Sequence, residues 1–252
     1  MSAPAAHGAS LLRPVLLLAL LLGAAIALGI LIGDVPLDHE LARTILLRLR
    51  LPRVLLAAAV GATLAVAGVT FQTLLRNPLA DPFTLGVSGG AAAGAAIATA
   101  LRFARFPGVV PLVAFLGAIG ATAAVFLLAR RRDHTDPTRL LISGLVLNAF
   151  FSAIILISFS LSRQADLTAA LRWMMGTLFG ATWTQVALVT IPLVAAMLVL
   201  VFIANDLRLL AFGEEDAKAR GVDVERVKLL GFGTASIITG AAVAVSGIIG
   251  FV

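Results

Sequence analysis

The chain has 252 residues, 60% of them hydrophobic, with no cysteine and a formal net charge of +6. Its mean hydropathy of +1.06 lies outside the range of soluble globular domains. The absence of cysteine excludes a disulfide framework, thiol chemistry and a cysteine metal site. Several apolar runs are long enough to cross a bilayer, so the composition describes an all-α, polytopic membrane helix bundle.

The first charge-free run covers about 14–33. It is longer than the core of a usual secretory signal, and we read it as a retained helix, with a cleaved signal as the alternative. Arg43, Arg48, Arg50 and Arg53 follow in a connecting loop, ahead of a second span at 54–75.

Next comes RNPLADP, residues 76–82. Asn77-Pro78 ends one helix and Asp81-Pro82 prepares the next, because proline lacks an amide donor and disfavours helix in the residue before it. An ordinary turn explains these residues. The small-residue stretches GATLAVAG before it and GVSGGAAAG after it allow close helix approach, which also suits a gate.

Further spans are expected at about 83–101, 109–129, 140–161, 184–204 and 229–252, giving seven in all, none carrying a charged residue. A titratable group inside the membrane is the usual equipment of proton-coupled carriers. The polar residues inside spans, among them Ser143, Asn148, Ser152, Ser158, Thr234, Ser236, Thr239 and Ser246, fit interhelical hydrogen bonding, with path lining as the alternative. Residues 163–183, bounded by Trp173 and Trp183, read as a surface loop with a short interfacial helix.

The segment 205–228 is the most charged, with eleven charged residues in twenty-four. Within it GEEDAKARG (213–221) predicts a short helix. Gly213 caps it, acidic residues fill its first turn, basic residues its last, and Gly221 stops it. Glu214–Lys218 and Asp216–Arg220 are placed as i,i+4 pairs. A solvated connector and a docking element, with Ala217 and Gly221 as a close-approach surface, both fit this pattern.

With a cytoplasmic amino terminus, eleven basic residues fall inside and eight outside, in the direction of the positive-inside rule. The Arg43–Arg53 cluster opposes that bias, which suits an acidic partner or interfacial snorkelling. No Walker A pattern occurs. His7, His39 and His134 are scattered, without metal-ligand spacing. Neither a catalytic constellation nor a cofactor is implied.

Several motifs occur in a fixed order: RLPRVLLAAAVGATLAVAGVTFQTLLRNPLADPFTLGVSGGAAAGA (50–95), RLLISGLVLNAF (139–150), WMMGTLFGATW (173–183), LAFGEEDAKARGV (210–222) and AVAVSGIIGFV (242–252). Together the chain resembles the FecCD-type permeases, membrane subunits of ABC importers for iron–siderophore complexes, haem and cobalamin. The resemblance implies one transmembrane permease domain over 1–252, with 205–228 as a cytoplasmic coupling loop. It implies a multi-pass protein of the bacterial inner membrane and a non-enzymatic transport subunit. The expected partners are cytoplasmic ABC ATPase subunits, a periplasmic or lipoprotein substrate-binding protein and a second permease copy.

By the same resemblance, Asn77 and Leu79 line a cytoplasmic gate, and Thr138 and Leu141 a second constriction. Gly213, Glu214, Ala217 and Gly221 form the ATPase-coupling helix, where Arg220 departs from the usual apolar residue. Arg50 and Arg53 face the binding protein. About ten helices are expected of the family. Relatives continue beyond GIIGFV, so the chain reads as C-terminally truncated and as incompetent for transport by itself. An ion-coupled secondary carrier and a non-transporting membrane scaffold are the alternative functions.

Overall fold

The computed structural model describes residues 6–32, 42–106, 108–131 and 134–249. Gly33, His39, Arg132 and the end of the last predicted span lie outside them. The described residues form two units, one from 1–58 with 179–186, the other from 59–178 with 187–252.

In the first unit α1 (Ala6–Leu31) is predominantly apolar, and from Leu12 onward its side chains are mostly exposed. Residues 43–53, expected as a loop, are helical instead: α2 (Ala42–Ile45), a π-helical turn at Leu46–Arg50 and the start of α3 (Leu51–Leu75) run continuously. Pro52 explains the wide turn. It cannot donate to the carbonyl four residues back and its ring presses on that carbonyl, so the preceding turn widens and the Leu51 amide bonds Leu46 O.

In the second unit α4 (Val87–Ala100) packs on α5 (Val109–Ala129) with its backbone in near contact. A Cβ on Gly94 would stand 2.5 Å from Val113 O, and one on Gly90 would meet Gly117 O and Ala121. The GVSGGAAAG stretch therefore does set close packing, whereas a Cβ added at Gly61 of GATLAVAG would meet nothing within 4 Å. A two-residue ribbon, β1 (Arg130–Arg131) with β2 (His134–Thr135), leads to α6 (Pro137–Leu161). Asp136 caps α6, its Oδ1 accepting from Thr138 N at 2.8 Å. The 163–183 segment holds the expected helix, α7 (Gln164–Met174). Then come α8 (Trp183–Phe202), α9 (Ala204–Phe212), α10 (Glu214–Ala219) and α11 (Val224–Ser246). Phe232 of α11 meets Phe71 of α3 edge-to-face at 5.3 Å and Phe126 of α5 at 5.9 Å, at the centre of the main apolar core.

Among the described residues, six helices are long and apolar enough to cross a membrane, and α4 is shorter. The 83–101 span is thus corrected. With 14 residues α4 is about 21 Å long, against a hydrocarbon layer of about 30 Å. The charge-free expectation is corrected too, because α11 begins at Val224 and carries Glu225, Arg226 and Lys228. Three of the span hydroxyls bond within their own helix rather than between helices: Ser152, Thr239 and Ser246 donate to the carbonyl four residues back.

Candidate functional site: the 76–86 turn, the short helix and a buried cation

The end of α3 closes with a Schellman arrangement. The Asn77 amide bonds Gln72 O at 3.1 Å and the Arg76 amide bonds Thr73 O at 3.3 Å. Arg76 occupies the left-handed position, φ 49°, where glycine is normal and another residue costs about 1–2 kcal/mol. Asn77 Oδ1 then accepts from Leu79 N at 2.9 Å, and Leu79 is 82% exposed. Asp81 Oδ1 accepts from Thr84 N at 2.6 Å.

No helix resumes until Val87, so residues 76–86 form one ordered, non-helical turn. Asn148 Nδ2 donates to Phe83 O at 2.8 Å. Asn148 lies about 16 Å along α6 from Pro137. The turn therefore reaches the middle of α6, and an amide side chain satisfies backbone exposed at that depth. Thr138 is exposed at the start of α6, and Leu141 is half-buried against the main core.

The predicted helix at 213–221 is present as α10, with Gly213 as cap at φ 151° and Gly221 left-handed at φ 83°. Its expected ion pairs are not. Glu214 turns inward, away from Lys218, and Lys218 pairs with Glu215 at 3.7 Å. Arg220 ends the helix as its cap, and no ion pair joins it to Asp216 among the described residues. Ala217 is completely buried in the main core. It faces this chain's own interior, which corrects its reading as a close-approach surface. The outward face consists of Glu215, Asp216, Lys218, Ala219 and Arg220.

What Glu214 meets was not anticipated. Lys228, 2% exposed, places Nζ 2.8 Å from Glu214 Oε1, 3.4 Å from Glu225 Oε1 and 2.5 Å from Thr135 O. Three donors thus meet three acceptors. Thr135, itself fully buried, donates its hydroxyl to Glu225 Oε2 at 2.6 Å and its amide to Oε1 at 3.0 Å. Arg76 Nη2 stands 4.0 Å from the same Glu214 oxygen that Lys228 holds. One buried ammonium therefore ties α10, α11 and the ribbon, and Glu214 extends the link to the 76–86 turn. Lys228 was legible as a core position, since Val224, Val227, Gly231 and Ala235 place it beside an apolar helical stripe.

Arg50 and Arg53 belong to the other unit and lie on helix rather than in a loop. Arg50 Nη1 donates to Ile30 O at 3.2 Å and Leu31 O at 3.3 Å, tying the end of α1 to the π turn. Arg53 is exposed, its guanidinium 5.3 Å from the Phe179 ring centroid. Trp183 Nε1 donates to Leu47 O at 3.1 Å.

The membrane-length helices, glycine-packed pair and deep turn define a polytopic helical membrane protein. The chain belongs to the FecCD transport family, whose profile matches residues 11–252. It is 41% identical over 214 residues to the cobalamin import system permease BtuC of Halobacterium salinarum, covering 84% of this chain and 57% of that protein. Two further relatives are 38% identical. The hemin transport permease HmuU of Yersinia pestis matches 82% of this chain and 63% of its own length. The ferric enterobactin permease FepG of Escherichia coli K12 matches 88% and 66%. The chain thus spans less than two thirds of these relatives' length. A solved chain described as an inward-facing metal-chelate type ABC transporter superposes with TM-score 0.85 at 29% identity, covering 94% of this chain and 77% of that one.

Proposed function

We propose that the chain acts as a permease subunit of an ATP-driven importer for a metal chelate: an iron–siderophore complex, haem or cobalamin. The chemistry of ATP hydrolysis belongs to separate cytoplasmic ATPase subunits. A substrate-binding protein delivers cargo, a second permease copy completes the path, and the bacterial inner membrane is the location. Relatives named for each of the three cargoes support the substrate class.

The observation that carries this reading is the ionic link from α10 to the 76–86 turn through Glu214. A force applied to the exposed face of α10 reaches the turn through that link. In this reading Gly213 and Gly221 bound the coupling helix, and Glu214 and Ala217 fasten it to the body. Asn77, Leu79, Thr138 and Leu141 narrow the path, and Arg50 and Arg53 lie toward the binding protein. Alternating access then needs nucleotide to bind two conformations of the ATPase with different affinity.

Reconstitution of the full-length permease with its ATPase and binding protein in proteoliposomes tests this. Chelate uptake that requires hydrolysable ATP and survives an uncoupler is the expected result. Among the described residues, the buried charges at Lys228 favour an ion-coupled carrier as the second reading. Uptake without any ATPase, abolished by the uncoupler, establishes that rival instead.

A further inference from the structure

Among the described residues, Arg76 and Lys228 are cationic neighbours of Glu214 and differ in their surroundings. Lys228 is buried and fixed by three acceptors on three segments. Arg76 is 43% exposed in its side chain and meets Glu214 through one longer contact, at the same oxygen. The backbone of Arg76 is left-handed at a helix end where glycine would sit without strain, so a side chain is kept there at a conformational cost.

We infer that Arg76 and Glu214 are positioning residues that make α10 and the 76–82 turn move together, with Lys228 as the fixed counter-ion. The consequence for transport rests on the function proposed above; the linkage itself does not. The hydrogen bonds of the turn explain how a pull on Arg76 travels. Its amide and that of Asn77 close α3, and Asn77 holds Leu79. These residues shift as one piece. A displacement of α10 stretches the single Arg76 contact before it breaks the three at Lys228. Arg76 is therefore the compliant side of the junction and the turn its follower.

The substitution Arg76→Gly separates this role from simple support of the fold. Glycine relieves the left-handed backbone while removing the charge. If Arg76 only shapes the helix end, Arg76→Gly leaves the geometry intact and stability equal or higher. If it links, the turn loses its register to α10 despite the relaxed backbone.

The chain has no cysteine, so spin labels placed by Leu79→Cys and Asp216→Cys, both exposed positions, report one distance in the full chain in lipid nanodiscs. A single narrow distribution is expected with Arg76 present. It should be lost in Arg76→Gly and in Glu214→Gln, and retained in Arg76→Lys. A narrow distribution surviving in Arg76→Gly overturns the inference.

In the reconstituted transporter, Arg76→Gly should lower uptake per ATP hydrolysed by about fivefold or more, the lower bound of typical coupling between sites, while Arg76→Lys stays close to the parent. Equal coupling in Arg76→Gly removes the linkage from the transport cycle. If the parent assembly shows no ATP-driven uptake, the proposed function fails, and the distance measurement still decides the linkage.

Discussion

Replacing Lys228 with methionine tests the buried cluster directly, because methionine keeps an unbranched side chain only one atom shorter and removes the ammonium, its charge and its donors together. Removing one partner of a buried ion pair costs about 3–5 kcal/mol, since the other charge is left in a poor solvent. Two features pull the value toward the low end. Glu225 has a 31% exposed side chain and keeps both bonds from Thr135. Glu214 is only 10% exposed, yet it retains Arg76 at 4.0 Å. Against this, Thr135 O loses the donor that Lys228 supplies, and an orphaned buried carbonyl costs about 1–3 kcal/mol. A loss of about 3 kcal/mol is expected. By the scaling for chains of comparable length this lowers the melting temperature by about 6–12 °C. The chain has two tryptophans, and Trp173 packs partly buried against the α4–α5 core, so intrinsic fluorescence on heating reads the transition in detergent. The double variant Lys228→Met with Glu214→Gln removes both charges and should recover part of the loss, a coupling of about 0.5–3 kcal/mol. A Lys228→Met protein within about 0.5 kcal/mol of the parent, the range of an ordinary surface change, would refute the view that this ammonium organises the cluster.

Gly94→Val should prevent α4 from seating on α5, because its Cβ would stand 2.5 Å from Val113 O. The expected outcome is aggregated, protease-sensitive protein by size exclusion and trypsin digestion. Gly233→Ala, with nothing within 4 Å of the added carbon, should stay monodisperse. Ala217→Phe overfills a fully buried position and should destabilise by about 1–3 kcal/mol, seen as faster proteolysis around α10; unchanged digestion counts against the inward orientation. Arg53→Ala removes the contact over Phe179 and should cost about 0.5–1 kcal/mol in stability. In the proposed docking role it should also weaken binding-protein affinity, measured by titration against the permease in nanodiscs; unaltered affinity removes Arg53 from that surface.

The places where the amino-acid pattern and the structure agree share a physical basis. Proline geometry acts over one or two residues, so the break at Asn77-Pro78 was readable without tertiary knowledge. Gly213 and Gly221 punctuate α10 for the same local reason. The small-residue spacing that packs α4 on α5 was visible because close backbone approach admits few side chains. Where the expectation failed, the deciding interaction was distant in sequence. The charged residues at 43–53 read as a connecting loop, although arginine on a helix can bond distant carbonyls, as Arg50 does with Ile30 and Leu31. The apolar 83–86 stretch reads like helix, but Asn148, 65 positions beyond Phe83, stabilises it as turn.

The buried junction makes the strongest case for this distinction. Thr135 and Lys228 lie 93 positions apart, and Glu214 reaches both Lys228 on α11 and Arg76 at the end of α3. Helical periodicity reveals that Lys228 sits beside an apolar stripe, yet it cannot reveal which anions the fold brings to it. By local rules Glu214 belonged with Lys218, four residues on and nearest in sequence. It forgoes that pair because a solvated i,i+4 contact is worth only about 0.2–0.5 kcal/mol, whereas Lys228 stays buried only with a partner for its charge. The same inequality explains why α10 persists with six residues. A helix of that length is unstable in water, so its conformation depends on Ala217 in the core and Glu214 on Lys228. Its stability and its link to the rest of the chain are therefore the same set of contacts.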